Sequence, residues 1–228
     1  MISVWLARFL GPVVWRLPGR TAKKLFAFAL AEDASMRDLT AAASLTPSVE
    51  RAALYLRHAS DEARHTRAFS KRSAELRLAA KGPPLGTPRG DIEHLYEQLG
   101  ELLFLAFVHH GERRGVAQFE LYERYFGARH DARMRDLFAA ILIDERRHMS
   151  YTWSLLVDVA GSEREARKAL RRAVWWEAWR TYRRVGRSVA GAFYKVIMAA
   201  LYISLTPWAL VIRWLRPARI GLVAPSDD

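Results

Sequence analysis

Apolar positions in this chain recur every three to four residues over long stretches, and no segment sustains the alternate-residue pattern of a half-buried strand. The helical period therefore governs throughout, and the chain reads as all-α. A first amphipathic helix is expected from about Thr21 to Ala43, with Leu25, Phe28, Ala29, Glu32, Ser35 and Met36 near one stripe. Thr46-Pro47 predicts the next helix start, with Thr46 as cap and Pro47 where its missing N–H is harmless. That helix carries Leu54, Tyr55, His58, Glu62 and His65 toward Ala80.

Lys81 to Gly90 holds three Pro and three Gly and predicts a linker, which either crosses the length of the helices or makes a short turn. Asp91 is the expected cap of a third helix bearing Leu95, Leu102, Leu105, Val108, Glu112, Phe119 and Phe126, closed by Gly127. A fourth helix, from about Asp131 to Ala160, carries Leu137, Phe138, Ile141, Glu145, His148 and Thr152. Gly161-Ser162 then breaks the chain, with Ser162 and Glu165 at capping-box spacing for a basic, Trp-rich helix.

Within the four central helices lies a repeat. Asp61-Glu62-Ala63-Arg64-His65 returns 83 residues later as Asp144-Glu145-Arg146-Arg147-His148. Each copy puts Glu and His three positions apart, on one helix face. Each is preceded by a further carboxylate on an apolar stripe, Glu32 or Glu112, with 28 and 31 residues intervening. Leu25/Leu105, Leu54/Leu137 and Tyr55/Phe138 match between the halves. Two hairpins of this kind predict a pseudo-symmetric four-helix bundle over residues 21–160, flanked by an apolar N-terminal segment (1–20) and by residues 161–228.

Composition sharpens the chemistry. The chain has no cysteine, which excludes disulfides, thiol catalysis and sulfur-ligated metals and leaves His and carboxylate as ligands. Glu32, Glu62, His65, Glu112, Glu145 and His148 supply four carboxylates and two imidazoles, a set that satisfies two divalent ions sharing carboxylates. Oxygen and nitrogen donors suit iron or manganese. Without metal, four carboxylates in an apolar core would repel one another, and some would protonate.

The net charge of +12 divides unevenly: residues 31–160 carry −1 and residues 161–228 carry +8. Seven of the eight Trp lie in the flanks, Trp5, Trp15, Trp175, Trp176, Trp179, Trp208 and Trp214. Basic residues and Trp beside apolar runs are the composition of a membrane interface rather than of a nucleic-acid surface. Residues 2–17 read as an interfacial or docking helix and not as a signal peptide. Val196–Ile212 has seventeen residues without charge, near the lower limit for spanning a bilayer, and the tail after Arg219 reads as disordered. The same apolar run could instead cover the bundle or bury a homodimer interface. A cytoplasmic protein, peripheral to or anchored at a membrane through Trp175, Trp176, Trp179, Trp208 and Trp214, is the expectation.

The doubled pattern of Glu followed by Asp-Glu-x-Arg-His resembles the ferritin-like di-iron carboxylate superfamily over roughly residues 21–160. It is most similar there to the oxygen-activating branch of soluble hydroxylases, acyl desaturases and ribonucleotide reductase small subunits. The resemblance implies that Glu62 and Glu145 bridge two iron ions, that Glu32 and Glu112 are terminal ligands, and that His65 and His148 bind one iron each. It implies further that Asp61 and Asp144 accept the other ring N–H of a ligand histidine, completed by Arg64 and Arg147. The apolar flanks look more like the small interfacial demethoxyubiquinone hydroxylases. The expected activity is an O2-dependent oxidation of an apolar or lipid-like substrate, with a separate electron donor because no cysteine-rich iron module is present. The alternatives are a ferroxidase or iron-handling protein, and a membrane-surface scaffold with a structural metal. His109, one turn before Glu112, either approaches the metals or, like His110, is a packed or solvated helix residue; Tyr55, Tyr122 and Tyr151 are expected as aromatic core residues, with electron transfer the alternative, while Gly111 and Gly115 either leave room beside Glu112 or serve close helix packing.

Overall fold

The computed structural model describes Trp15, Leu17 and residues 19–215. The expected N-terminal helix over residues 2–17 and the tail after Arg219 lie outside the described residues, apart from Trp15 and Leu17. Among the described residues every regular element is helical: α1 (Arg20–Leu45), α2 (Val49–Ala79), α3 (Leu95–Gly127), α4 (Ala132–Ala160) and α5 (Glu163–Leu215). The chain forms two units, Met1–Trp176 and Glu177–Asp228.

In the first unit, α1 with α2 and α3 with α4 form two hairpins that pack into a helical bundle. Local chemistry sets the helix ends. Ser48 caps α2 by accepting from Arg51 N–H at 3.2 Å, and Asp131 caps α4 by accepting from Met134 N–H at 3.1 Å. The expected cap at Thr46 is displaced by two residues, because Thr46 closes α1 and donates instead to Glu101 Oε1 of α3 at 2.7 Å. Arg51 Nε and Tyr55 Oη donate to that same oxygen, which ties the α1–α2 turn to α3.

The segment between α2 and α3 crosses the length of the bundle. Arg77 at the end of α2 donates to Pro83 O at 2.8 Å, Gly90 N–H donates to Asp33 Oδ2 at 2.8 Å, and Leu95 N–H donates to Asp38 Oδ1 at 3.4 Å. The linker thus climbs α1 from its beginning toward its end, and the buried Asp33 and Asp38 hold its backbone donors. Gly90 is required by closeness, since a Cβ there would lie 2.4 Å from Ala34 N and 2.5 Å from Leu30 O. This tether keeps the chain extended past Asp91, so α3 starts at Leu95, later than its expected cap, and breaks at Gly100 (φ 70°), a conformation glycine adopts without a Cβ clash. A crossover of this kind makes α2 and α3 run in the same direction, with α1 and α4 opposed to them.

Two apolar clusters fill the bundle. One gathers Phe28, Phe69, Phe119, Phe138, Tyr122 and Ile141 toward the start of α1; the other gathers Leu39, Tyr55, Phe104, Leu105 and Leu156 toward its end. Trp15, from the segment expected to lie at an interface or dock, is 8% exposed in the first cluster, its ring edge-on to Tyr122 at 5.0 Å. The compact unit also extends past the expected boundary at residue 160, because Ala166, Ala169 and Ala173 of α5 bury into the second cluster. Trp176 belongs there too, edge-on to Phe107 at 5.7 Å, which separates it from the other Trp expected to meet a membrane.

The second unit is the rest of α5. The basic and apolar segments are one continuous helix, with Pro207 inside it. Trp179, Phe193, Tyr202, Trp208 and Trp214 are exposed along it, as is Trp175 just before it. This helix is long and apolar enough to cross a membrane by length and composition.

Candidate metal centre

Between the two apolar clusters the bundle carries a layer of acids and imidazoles, contributed by one residue each from α1 and α3, one turn of α4 and two turns of α2. Glu32, Glu62, His65, Glu112, Glu145 and His148, the six residues singled out by spacing, all meet in it, and His58 joins them. Their donor atoms fall into two groups, each with all atoms within 4.8 Å of one another: His58, Glu62, Glu112 and His148, and Glu32, Glu62, His65 and Glu145. Glu62 is common to both. His58 was visible in sequence as a residue one turn before Glu62; nothing in the repeat singled it out, because the matching position on α4 is Ile141.

His58 is 1% exposed, and its Nε2 lies 2.8 Å from Glu62 Oε1 and 3.4 Å from Glu112 Oε1. Its ring lies 3.7 Å, centroid to centroid, from that of His148. On its far side Nδ1 meets the hydroxyl of Tyr151 at 2.6 Å. Tyr151, expected as plain packing, therefore orients a residue of the centre.

The other two histidines are held crosswise. His65 Nε2–H donates to Asp144 Oδ2 at 3.2 Å, and His148 Nε2–H donates to Asp61 Oδ2 at 3.0 Å, so each motif's Asp holds the other motif's histidine. Arg147 donates to Asp61 Oδ2 at 2.6 Å and to Asp144 Oδ1 at 2.7 Å. Arg64 donates to Asp144 at 3.2 Å and to Asp61. The two guanidiniums remain half exposed and close the outer face of this network. With Nε2 hydrogen-bonded on the outer side, the Nδ1 atoms of His65 and His148 face inward.

Those inward atoms have nothing to bond. Glu62 Oε2, His65 Nδ1, Glu112 Oε2, Glu145 Oε1 and His148 Nδ1 are buried without a hydrogen-bond partner. Buried polar atoms normally find partners. Five orphans converging from three helices are the arrangement a cation satisfies, and oxygen plus imidazole donors without sulfur fit a divalent first-row metal.

In the metal-free layer these groups share protons instead. Burial raises Glu145 to about 8, the charges on Glu112 and Glu62 adding and His65 opposing. Burial by itself disfavours charge on His58 and His65, but the carboxylates facing them outweigh it and lift both to about 10. Burial also opposes ionisation of Glu62, yet the facing Glu32, His58 and His65 hold it well below the usual carboxylate range. Asp61 is likewise pushed up by burial, and the bonds from His148, Arg64 and Arg147 win, bringing it down to about 2. It stays an ionised acceptor.

The neighbouring residues resolve two remaining expectations. A Cβ at Gly115 would lie 2.8 Å from Glu145 Oε2, so this glycine makes room for a carboxylate of the centre; a Cβ at Gly111 would meet nothing within 4 Å. His109 is a packing residue, buried at 4% exposure beside Thr152 Oγ1 at 3.0 Å, and burial lowers its pKa to about 4. The chain gave no match to protein-family models, to curated proteins or to solved structures, which leaves this donor set and its geometry as the guide to function.

Proposed function

We propose that the bundle is a ferritin-like di-iron carboxylate centre and that the protein is an O2-dependent oxidoreductase acting on an apolar substrate. The observation that carries this reading is the set of buried, unpartnered Glu and His atoms converging between two apolar clusters. The crossover between α2 and α3 supports it, since a single long crossover is the topology of ferritin-like bundles. Glu32, Glu62, His65 and Glu145 would hold one ion, and Glu62, His58, Glu112 and His148 the other, manganese being compatible with the same donors.

Bound iron would supply the electrons and the open coordination position that O2 chemistry needs. The chain supplies the rest. Asp61 and Asp144 hold the rings of His148 and His65 in the ligating tautomer, and Arg64 and Arg147 fix those carboxylates and shut the outer face to water. Phe28, Phe69, Phe119 and Phe138 pack the apolar cluster on the side of the partly buried Glu32. Electrons come from a separate donor, and the apolar run at the end of α5, framed by basic residues, anchors the protein at a membrane where a lipid-like substrate resides.

The test is anaerobic loading of the full chain with Fe2+, then O2 with and without membrane lipid and a chemical reductant. A hydroxylated or desaturated lipid product is the expected result. Accumulation of many ferric ions per chain without a lipid product would replace this reading with iron handling.

A further inference from the structure

The repeat that builds the centre is broken at one ligand position. His58 precedes Glu62 by one turn, and the residue in the same relation to Glu145 is Ile141, buried in the aromatic cluster. One group of donors therefore has two imidazoles and two carboxylates, and the other has one imidazole and three carboxylates. From this difference, and resting on the dinuclear reading above, we infer that His58 is a metal ligand that makes the two positions chemically unequal. The position formed by His58, His148, Glu62 and Glu112 fills first with later first-row ions, and the position formed by Glu32, Glu62, His65 and Glu145 fills second.

Geometry supports the ligand role. Nε2 of His58 already points at both carboxylates of its group, and Tyr151 occupies the only other ring nitrogen. When Nε2 gives up its proton to a metal, Nδ1–H donates to Tyr151 Oη, the arrangement that outward partners of ligating histidines commonly provide. Tyr151 is thus a positioning residue, and a neutral one. His65 and His148 are held by carboxylates that are paired with arginines. The His58 and His148 rings lie close together and converge on the same pair of carboxylates, Glu62 and Glu112, as two ligands of one ion would. Imidazole-rich sites gain most along the series from Mn2+ to Co2+ and Zn2+, whereas carboxylate-rich sites discriminate less. The separation between the two steps is accordingly larger for Co2+ than for Mn2+.

The experiment is titration of the metal-free full chain in detergent with Co2+ alone and with Mn2+ alone, following heat of binding and the visible Co2+ spectrum. Two resolvable Co2+ steps are expected, with distinct spectra. His58→Asn should weaken the first step by at least about 100-fold and leave the second position competent, and Tyr151→Phe should weaken the first step by about 10-fold. Unchanged steps in His58→Asn would overturn the inference. A readout on the native chain stands apart from the variants: with one equivalent of Co2+, paramagnetically shifted ring N–H signals should count two coordinated imidazoles, and a single ring would overturn the assignment. Two ions bound in one unresolved step with one spectrum would remove the inequality and leave the dinuclear centre intact. Failure of the native chain to hold two ions would remove both.

Discussion

The two hairpins of the bundle carry the same five-residue motif, yet they surround it differently. On the side of Glu32, His65 and Glu145 the neighbouring turns present Ala29, Phe69 and Ile141, all in the aromatic cluster. The positions related to these by the repeat are His109, Thr152 and His58, all buried and polar. Pseudo-symmetry thus governs the six donors of the repeat and fails one turn away from them, where His58 joins one group only. The surroundings are apolar on one side and hydrogen-bonded on the other. The lesson is that duplication of a motif fixes how many ions a site can hold, and the flanking turns decide whether those ions are alike.

Glu62 and Glu145 are equivalent in the motif and unequal in the centre, since Glu62 belongs to both donor groups and Glu145 to one. Glu62→Ala should therefore abolish binding of both ions, while Glu145→Ala should keep the ion on the His58 side; metal analysis of the two purified variants decides, and equal losses would erase the distinction. The shells themselves can be compared by truncation. Phe69→Ala should destabilise the bundle by about 3–5 kcal/mol because it empties a fully buried aromatic site. At the related position, Thr152→Ala should cost only about 1 kcal/mol through its lost hydrogen bonds, as read by denaturant unfolding.

A smaller effect isolates one ion. Gly115→Ala would press a methyl group on Glu145 Oε2, and a displaced carboxylate should weaken the position formed with Glu32 and His65 by about 10-fold while sparing the other. Calorimetry resolves the two steps, and equal weakening of both would show that Glu145 serves both ions.

Protons give the most graded test. His58 and His65 are raised to about 10 and Glu145 to about 8 in the metal-free layer. A group whose folded pKa is raised contributes stability below its ordinary pKa and loses it as the pH rises through the folded value. Metal-free protein should therefore lose stability from about pH 4.5 to about 8 through Glu145, and from about pH 6.5 toward 10 through the two histidines. Metal must displace the same protons, so affinity should rise over the same range. Thermal melts of metal-free and loaded protein at pH 6.5 and pH 9 check both signs. A metal-free melt that rose with pH would contradict the proton sharing.

Much of this was legible in the residues. Period places α1 to α4 within a few residues, Ser162 caps where spacing puts it, and the six donors share faces because three residues make nearly one turn. His58 escaped because a lone imidazole one turn from a Glu is ordinary on a helix, and it gains meaning only from Glu112 and His148 on two other helices. Trp15 and Trp176 share the composition of the basic flanks, but composition does not say which aromatic face a bundle leaves uncovered.

The sequence by itself determined the helices, the absence of sulfur ligands and the six carboxylate and imidazole donors, because these follow from residue type and from spacing along a single helix. Tertiary structure decided which helix faces which. Asp33, Asp38 and Gly90 draw the α2–α3 linker along α1, and the resulting direction of α3 brings Glu112 to His58 and sets Asp61 against His148 rather than His65. Spacing fixes angles around one axis, and contacts between axes depend on the path of the connection.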